Sequence, residues 1–219
     1  MKYFTSLSFD YIRQFNVSQL EPLEPNLRNL MHAEIGATIS FLPYRVVPSL
    51  DEFSLENFER KVLVDVGTNE FLGSGASLIR MYEPFFDFDE VHFFEPKALS
   101  IHAEQRLRSN ISEHNIFTEA CSAHADLDVA IWIRKQFTKE DFVVLKYDVD
   151  MGVRGPTLEW AFLKCLIESG TIQYVDELFI ELHFFHPKLH WKHQFHTMHQ
   201  AFDLMRRLRT LHVPVHAWP

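Results

Sequence analysis

The sequence predicts an α/β fold: a doubly wound, mainly parallel Rossmann-like sheet with helices on both faces, preceded by an N-terminal extension. Three observations carry this prediction. Short apolar runs alternate with helix-period segments from Lys61 onward. The connections between runs are long enough to hold a crossover helix, as parallel strands require. Polar or acidic residues end each of five apolar runs, and that is where open α/β sheets bind ligands.

Val62–Val66 reads as the first strand, and Gly73–Tyr82 as a helix with Ala76, Ile79 and Met81 turned inward. Val91–Phe94 is the second strand, ending in Glu95-Pro96, and Ala98–Arg108 is helical, with Leu99, Ala103 and Leu107 on one face. Asn115–Ala120 is a weaker strand. Asp126 opens a helix through Phe137, with a strand over Val129–Ile133 as the alternative. Phe142–Tyr147 is the most apolar strand and leads into Asp148-Val-Asp150-Met-Gly152. Gly155-Pro156 starts a helix that stops at Gly170. Leu178–Leu182 is the fifth strand, and a helix from about His193 to Leu211 carries Phe195, Met198, Phe202, Met205 and Leu208 on one stripe. Val213–His216 is a last short strand. Residues 1–60 read as the extension packed on the core and 61–219 as the main domain. Within the extension, Ala37–Val47 is rich in β-branched and aromatic residues but split by Pro43, which suits an edge strand or hairpin.

Composition narrows the function. With 21 basic and 30 acidic side chains the chain carries a formal charge of −9, which argues against nucleic acid as a partner, because phosphate neutralisation needs a basic face. Arg206, Arg207 and Arg209 form a small basic group that reads as a solvated helix face. Cys121 and Cys165 make no disulfide framework and read as buried free thiols. No apolar run approaches a membrane span, and Met1–Asp10 lacks the apolar core of a signal peptide. The expected setting is therefore cytoplasmic, with a small-molecule partner rather than nucleic acid or membrane.

The strand ends supply the candidate site. They are Asp65/Gly67/Asn69, Glu95, Ser122 to Asp126, Asp148/Asp150 and Glu181/His183. Five of the seven glycines fall in two of these turns, at 67, 73 and 75 and at 152 and 155. The dinucleotide fingerprint G-x-G-x-x-G is absent, and so is a G-K-[ST] phosphate loop. Carboxylates with few basic groups disfavour a polyphosphate and suit a cation such as an adenosyl sulfonium. Glu95, beyond the second strand, suits a ribose diol.

Val-Leu-Val-Asp65-Val-Gly67-Thr-Asn69, His-Phe-Phe-Glu95-Pro96 and Val-Leu-Lys146-Tyr-Asp148-Val-Asp150-Met-Gly152 together resemble class I S-adenosylmethionine-dependent methyltransferases. The resemblance is greatest to the FkbM-like branch, whose motifs read DVGAN, FEP and K-x-D-V-E-G. It covers about residues 61 to 217. It implies a seven-stranded sheet, S-adenosyl-L-methionine as cofactor, and O-methylation of a sugar-like or other small polar acceptor. Carried over by position, Asp65, Gly67, Thr68 and Asn69 would lie along the methionine part of the cofactor and Glu95 on its ribose. Ser122 and Asp126 would border the adenine. Asp148 and Asp150 would face the methyl group and the acceptor, and Asp148 and His183 are the candidate proton acceptors. Two departures stand out. Asp150 replaces the family's Glu and Met151 intervenes before Gly152. The family's final strand also has no counterpart after Val213–His216, so either the chain is a fragment or the segment around Ile39–Val47 fills that edge.

Two further readings remain open on the sequence alone. One is a non-catalytic domain that keeps the fold. The other is a metal-dependent hydrolase, with Asp148, Asp150, Glu181 and His183 around a divalent ion. Six histidines lie between His183 and His199, but His190, His193, His196 and His199 drift around a helix and cannot share one ion, so a metal is the less favoured addition. Trp160, Phe184, Phe185 and Trp191 are candidates to line an acceptor cleft.

Overall fold

A computed structural model of the chain describes residues 16–24, 26–27, 43–50, 53–67, 74–95, 115–120, 125–149, 158–184 and 196–218. For 55, 74, 95, 115–120, 125–128 and 158 the description is of the backbone. The strands are β1 (Arg60–Val66), β2 (Glu90–Glu95), β3 (Asn115–Ala120), β4 (Asp141–Tyr147), β5 (Glu177–Ile180) and β6 (Val215–Ala217). The helices are α1 (Ser74–Tyr82), α2 (Ala125–Gln136), α3 (Leu158–Glu168) and α4 (Met198–Thr210). The strands form one sheet in the order β3-β2-β1-β4-β5-β6, and every pairing is parallel. The order reverses between β1 and β4, as in a doubly wound sheet.

Alternation along the strands divides the interior into two cores. Val62, Val64 and Val66 of β1, Val143, Leu145 and Tyr147 of β4, and Leu178 and Ile180 of β5 face α2, α3 and α4. Leu63, Val91, Phe93, Phe142, Val144 and Phe179 face the other way, onto α1 and the N-terminal segments. A sheet covered on both faces has nearly continuous apolar strands, and all seven residues of β4 are buried.

Several boundaries differ from the sequence reading, each for a physical reason. The buried residues of α1 include Leu78, Ile79 and Tyr82, whereas Ala76 and Met81 are only half-buried. The segment 125–136 is helical, with Val129, Ala130 and Ile133 inward, so the helical period prevails over the strand alternative. Helix α4 begins at Met198, not His193, because Thr197 caps it: its side chain accepts from Gln200 N while the Gln200 side chain accepts from Thr197 N. The last strand starts at Val215, since Pro214 has no N–H to give a ladder; its carbonyl accepts from Leu178 N instead. The described part of the segment around Ile39–Val47 is not a strand. Val47–Ser49 is a 3-10 turn with Val47 and Pro48 buried, so these residues enter the core and add no ladder to the sheet. Residues 37–42 and the helix expected over Ala98–Arg108 lie outside the described residues. No helix among the described residues is long and apolar enough to cross a membrane.

The N-terminal segment is fastened by a buried polar node. Glu177, fully buried at the start of β5, accepts from Val47 N at 2.8 Å and from Tyr82 Oη at 2.5 Å. His216 Nε2 lies 2.8 Å from Glu177 and its Nδ1 2.7 Å from Glu21. Arg209 donates to Glu21 O at 2.6 Å and to Val215 O at 2.7 Å, and Arg206 pairs with Glu24. The expected solvated basic face is thus partly an internal clamp. Burial alone would lower the pKa of His216, but the two glutamates outweigh it and raise it above the ordinary 6.5. Burial would raise that of Glu21, but His216 and the Arg45 amide hold it below 4.5.

These two shifts set the node's share of the pH dependence of stability. The His216 contribution is complete below 6.5 and is lost as pH rises through its raised folded value. The Glu21 contribution is present above 4.5 and is lost as pH falls through its lowered value. Unfolding free energy measured against pH should therefore peak between these limits. His216→Gln should flatten the alkaline limb and cost about 3–5 kcal/mol at the peak, the range for breaking a buried ion pair. An unchanged alkaline limb in that variant would contradict the assignment.

Candidate functional site

The strand order reverses between β1 and β4, with α1 on one face of the sheet and α3 on the other, and the carboxyl ends of these two strands are where a doubly wound fold takes a ligand. The ladders run on past the strand ends. Gly67 N donates to Phe94 O, Asp148 N to Val66 O and Glu181 N to Tyr147 O, at 3.0, 2.9 and 3.2 Å. These bonds set Gly67, Asp148 and Glu181 side by side at the rim.

Gly67 has φ +86°, and a Cβ there would stand 1.5 Å from the Asp148 carbonyl oxygen. Only glycine meets both demands. Gly75 likewise lets the start of α1 approach Phe93 and Asp65 closely: an added Cβ would lie 2.7 Å from the Phe93 ring and 3.1 Å from Asp65 Oδ2.

Beneath the rim lies Lys146, fully buried in β4. Its ammonium is 3.0 Å from Asp65 Oδ1 and 3.3 Å from Asp148 Oδ2, and it donates to Gly67 O at 3.2 Å. The Asp65 contact is an ion pair outside hydrogen-bond angles, so neither Asp65 oxygen has a hydrogen-bond partner among the described residues. Burial would lower the pKa of Lys146, but Asp65 and Asp148 outweigh it and keep it above the usual lysine value. The lysine is a fixed cation. It is not a nucleophile.

On the β5 side, His183 is buried behind the rim. Its Nδ1 is 2.6 Å from Glu159 Oε1, at the start of α3, and its Nε2 is 3.4 Å from Glu181 Oε1. Trp160 Nε1 donates to His183 O at 2.7 Å and its ring stacks on His196 at 3.8 Å. The Glu181 carboxyl is pushed well above the ordinary 4.5, first by burial and also by the neighbouring Asp148 carboxylate, against the lowering pull of His183.

Of the predicted site residues, Asp65, Gly67, Asp148 and His183 come together here. Glu95 ends β2, the neighbour of β1, and Asp126 lies in the first turn of α2; their side chains are outside the described residues. So are Thr68, Asn69, Ser122 and Asp150. Phe184 is buried in the core and lines no cleft; Phe185 and Trp191 are not among the described residues. Three of the four proposed metal ligands are described, yet among the described residues no three His, Cys, Asp or Glu groups are arranged to hold a metal ion. Lys146 already supplies a cation beside Asp148. Cys165 is half-buried and in no disulfide. Sequence reasoning missed Glu159 as the partner of His183 and Lys146 as the charge that joins two strands. Lysine in the middle of the most apolar strand was the available signal for the second.

No curated protein and no solved structure gives a significant match to the chain. A family model does match, over residues 19–219, most of the described N-terminal segment included. The chain belongs to the family described as Domain of unknown function (DUF7870).

Proposed function

We propose that the protein is an S-adenosylmethionine-dependent methyltransferase that O-methylates a hydroxyl of a small polar acceptor. The observation that carries this reading is the rim itself: Gly67 in the left-handed region against Asp148 at the strand-order reversal, with Glu95 ending the adjacent strand. The missing Cβ lets the β1 turn close onto the Asp148 backbone, which sets both strand ends side by side where such folds take a ligand. Two carboxylates, Asp65 and Asp148, flank the one Lys146 ammonium, so the rim suits a cationic ligand better than an anionic one. When bound, S-adenosylmethionine supplies an activated methyl group, so the protein's task is chiefly positioning. Asp65 and Gly67 would border its methionine part and Glu95 its ribose diol. Asp148 and Glu181, with side chains 21% and 16% exposed, face the acceptor side. Lys146 holds Asp65 and Asp148 at a constant separation, and His183 with Glu159 backs Glu181.

Calorimetric titration with S-adenosylmethionine, followed by transfer of labelled methyl to a panel of sugars and other polyols, tests the reading. No heat of binding at about 1 mM cofactor would sink it. Glu95→Ala should reduce cofactor affinity by about tenfold or more, the loss of a charge-assisted hydrogen bond to a diol, while thermal unfolding stays within a few degrees of wild type. Unaltered affinity would remove Glu95 from the site.

A further inference from the structure

The hydrogen bonds that set Gly67, Asp148 and Glu181 side by side have one more step: Trp218 N donates to Ile180 O at 3.0 Å. Trp218, just beyond β6, therefore joins the rim. Two residues back along each strand, Asp65, Lys146, Phe179 and His216 stand opposite one another across β1, β4, β5 and β6. Residues two apart in a strand share a face, so this row lies beneath the rim, on the face that carries α1 and the N-terminal segments. The Trp218 ring crosses the row. It meets Phe179 edge-on at 5.7 Å, and the Lys146 ammonium lies over it, 5.9 Å from its centre. Tyr44, from the N-terminal segment, stacks on the indole at 5.8 Å with 13° between the planes. The Tyr44 hydroxyl donates to the carbonyl of the preceding residue, Ala217, at 2.7 Å, and Trp218 is only 7% exposed.

Lys146 needs a neighbour of this kind. Its partners Asp65, Gly67 and Asp148 lie on β1 and farther along β4, while Phe179, opposite it on β5, offers no charge. Lysine carries its ammonium on a flexible four-carbon stem, so partners on one side hold it there only while the other side is filled. An indole fills that side with the electronegative face of its ring, which attracts a cation. We propose that Trp218 and Tyr44 are positioning residues of the site: the indole confines the Lys146 ammonium to its β1 side, where it holds Asp65 and Asp148, and Tyr44 fixes the indole. The N-terminal segment is then a working part of the site as well as a cover for the sheet. The confinement stands on the geometry, whereas its consequence for cofactor binding rests on the methyltransferase reading.

Protein labelled with nitrogen-15 at lysine side chains provides the test, with the Lys146 ammonium resonance assigned by its disappearance in Lys146→Arg. In the wild type its protons should exchange slowly with water. Trp218→Leu should speed that exchange by about tenfold, the scale of a desolvated cation–π contact. Trp218→Phe keeps a ring face and should stay within about threefold of wild type. Backbone amides of β4 and β5 should keep their wild-type exchange in both variants. Unchanged ammonium exchange in Trp218→Leu overturns the proposal, and so does an equal acceleration of those amides, which marks a ring that only fills space. If Trp218→Leu does not fold, Tyr44→Leu decides: it should also speed the ammonium exchange, whereas Tyr44→Phe, which keeps the stacked ring, should not. Calorimetric titration with S-adenosylmethionine tests the second half. Trp218→Leu should bind about tenfold more weakly than wild type and Trp218→Phe within about threefold. Equal affinities for wild type and Trp218→Leu would remove the N-terminal segment from the site. Absence of cofactor binding by the wild type would overturn the cofactor half, while the ammonium exchange still decides the positioning half.

Discussion

Gly67→Ala should unfold the rim end of the sheet, destabilising the protein by more than about 3 kcal/mol. The left-handed backbone accounts for about 1–2 kcal/mol of this for a residue with a Cβ. The rest comes from collision, because the new carbon would sit 1.5 Å from the Asp148 carbonyl oxygen. No rotamer change relieves a backbone contact, so the β1–β4 ladder must part at Val66–Asp148. Gly170 provides the control. It also has a left-handed backbone, φ +71°, but an added Cβ there would meet only the Gln173 amide nitrogen at 3.3 Å. Gly170→Ala should therefore cost only the conformational part, about 1–2 kcal/mol. Urea unfolding of both variants measures the difference, and equal losses would show that the close approach to Asp148 is not what requires glycine at 67.

Lys146→Met should cost about 3–5 kcal/mol, the penalty for leaving a buried carboxylate unpaired. The side chain is fully buried and its charge answers Asp65, equally buried, on the next strand. The double variant Lys146→Met/Asp65→Asn should recover more than half of the loss, because it removes both charges while keeping the shapes. Chemical denaturation of the two single variants and the double one gives the coupling directly. Additive losses would mean that the lysine is held by Asp148 and Gly67 alone.

Much of the framework was legible because its signals are local. An unbroken apolar run marks a strand buried on both faces, and Phe142–Tyr147 met that description to within one residue of β4. The stop at Gly170 was likewise written in one residue, which has a left-handed backbone. Legibility fell where a side chain's meaning depends on distant chain. Val46 and Val47 look like strand residues, yet Pro48 and the Glu177 carboxylate, 130 positions away, make them a buried turn. The site shows the same division. Asp65, Gly67 and Asp148 could be named because strand ends are where the fold exposes polar groups. Glu159 could not, since an acid in the first turn of a helix is ordinary until a histidine 24 residues later is found against it. His183 was named for its chemistry, but its burial behind Glu181 depends on where β5 stops. That stop comes at Ile180, two residues short of the expected strand end.

The polar node at β6 bears on where this protein can be divided. Leu20 belongs to one core, and Leu23 and Leu27 to the other, while Glu21 between them meets His216 on the outermost of the described strands. The chain therefore passes around the open margin of the sheet, and Tyr44 adds a second fastening there through its hydroxyl to Ala217 O at 2.7 Å. Edge strands invite pairing with other chains unless something covers them, and here the cover comes from the start of the same polypeptide. A boundary drawn at residue 60 thus separates two stretches of sequence but not two folding units. A fragment beginning there would carry an uncovered sheet margin, two opened cores and a buried histidine deprived of one of its carboxylates.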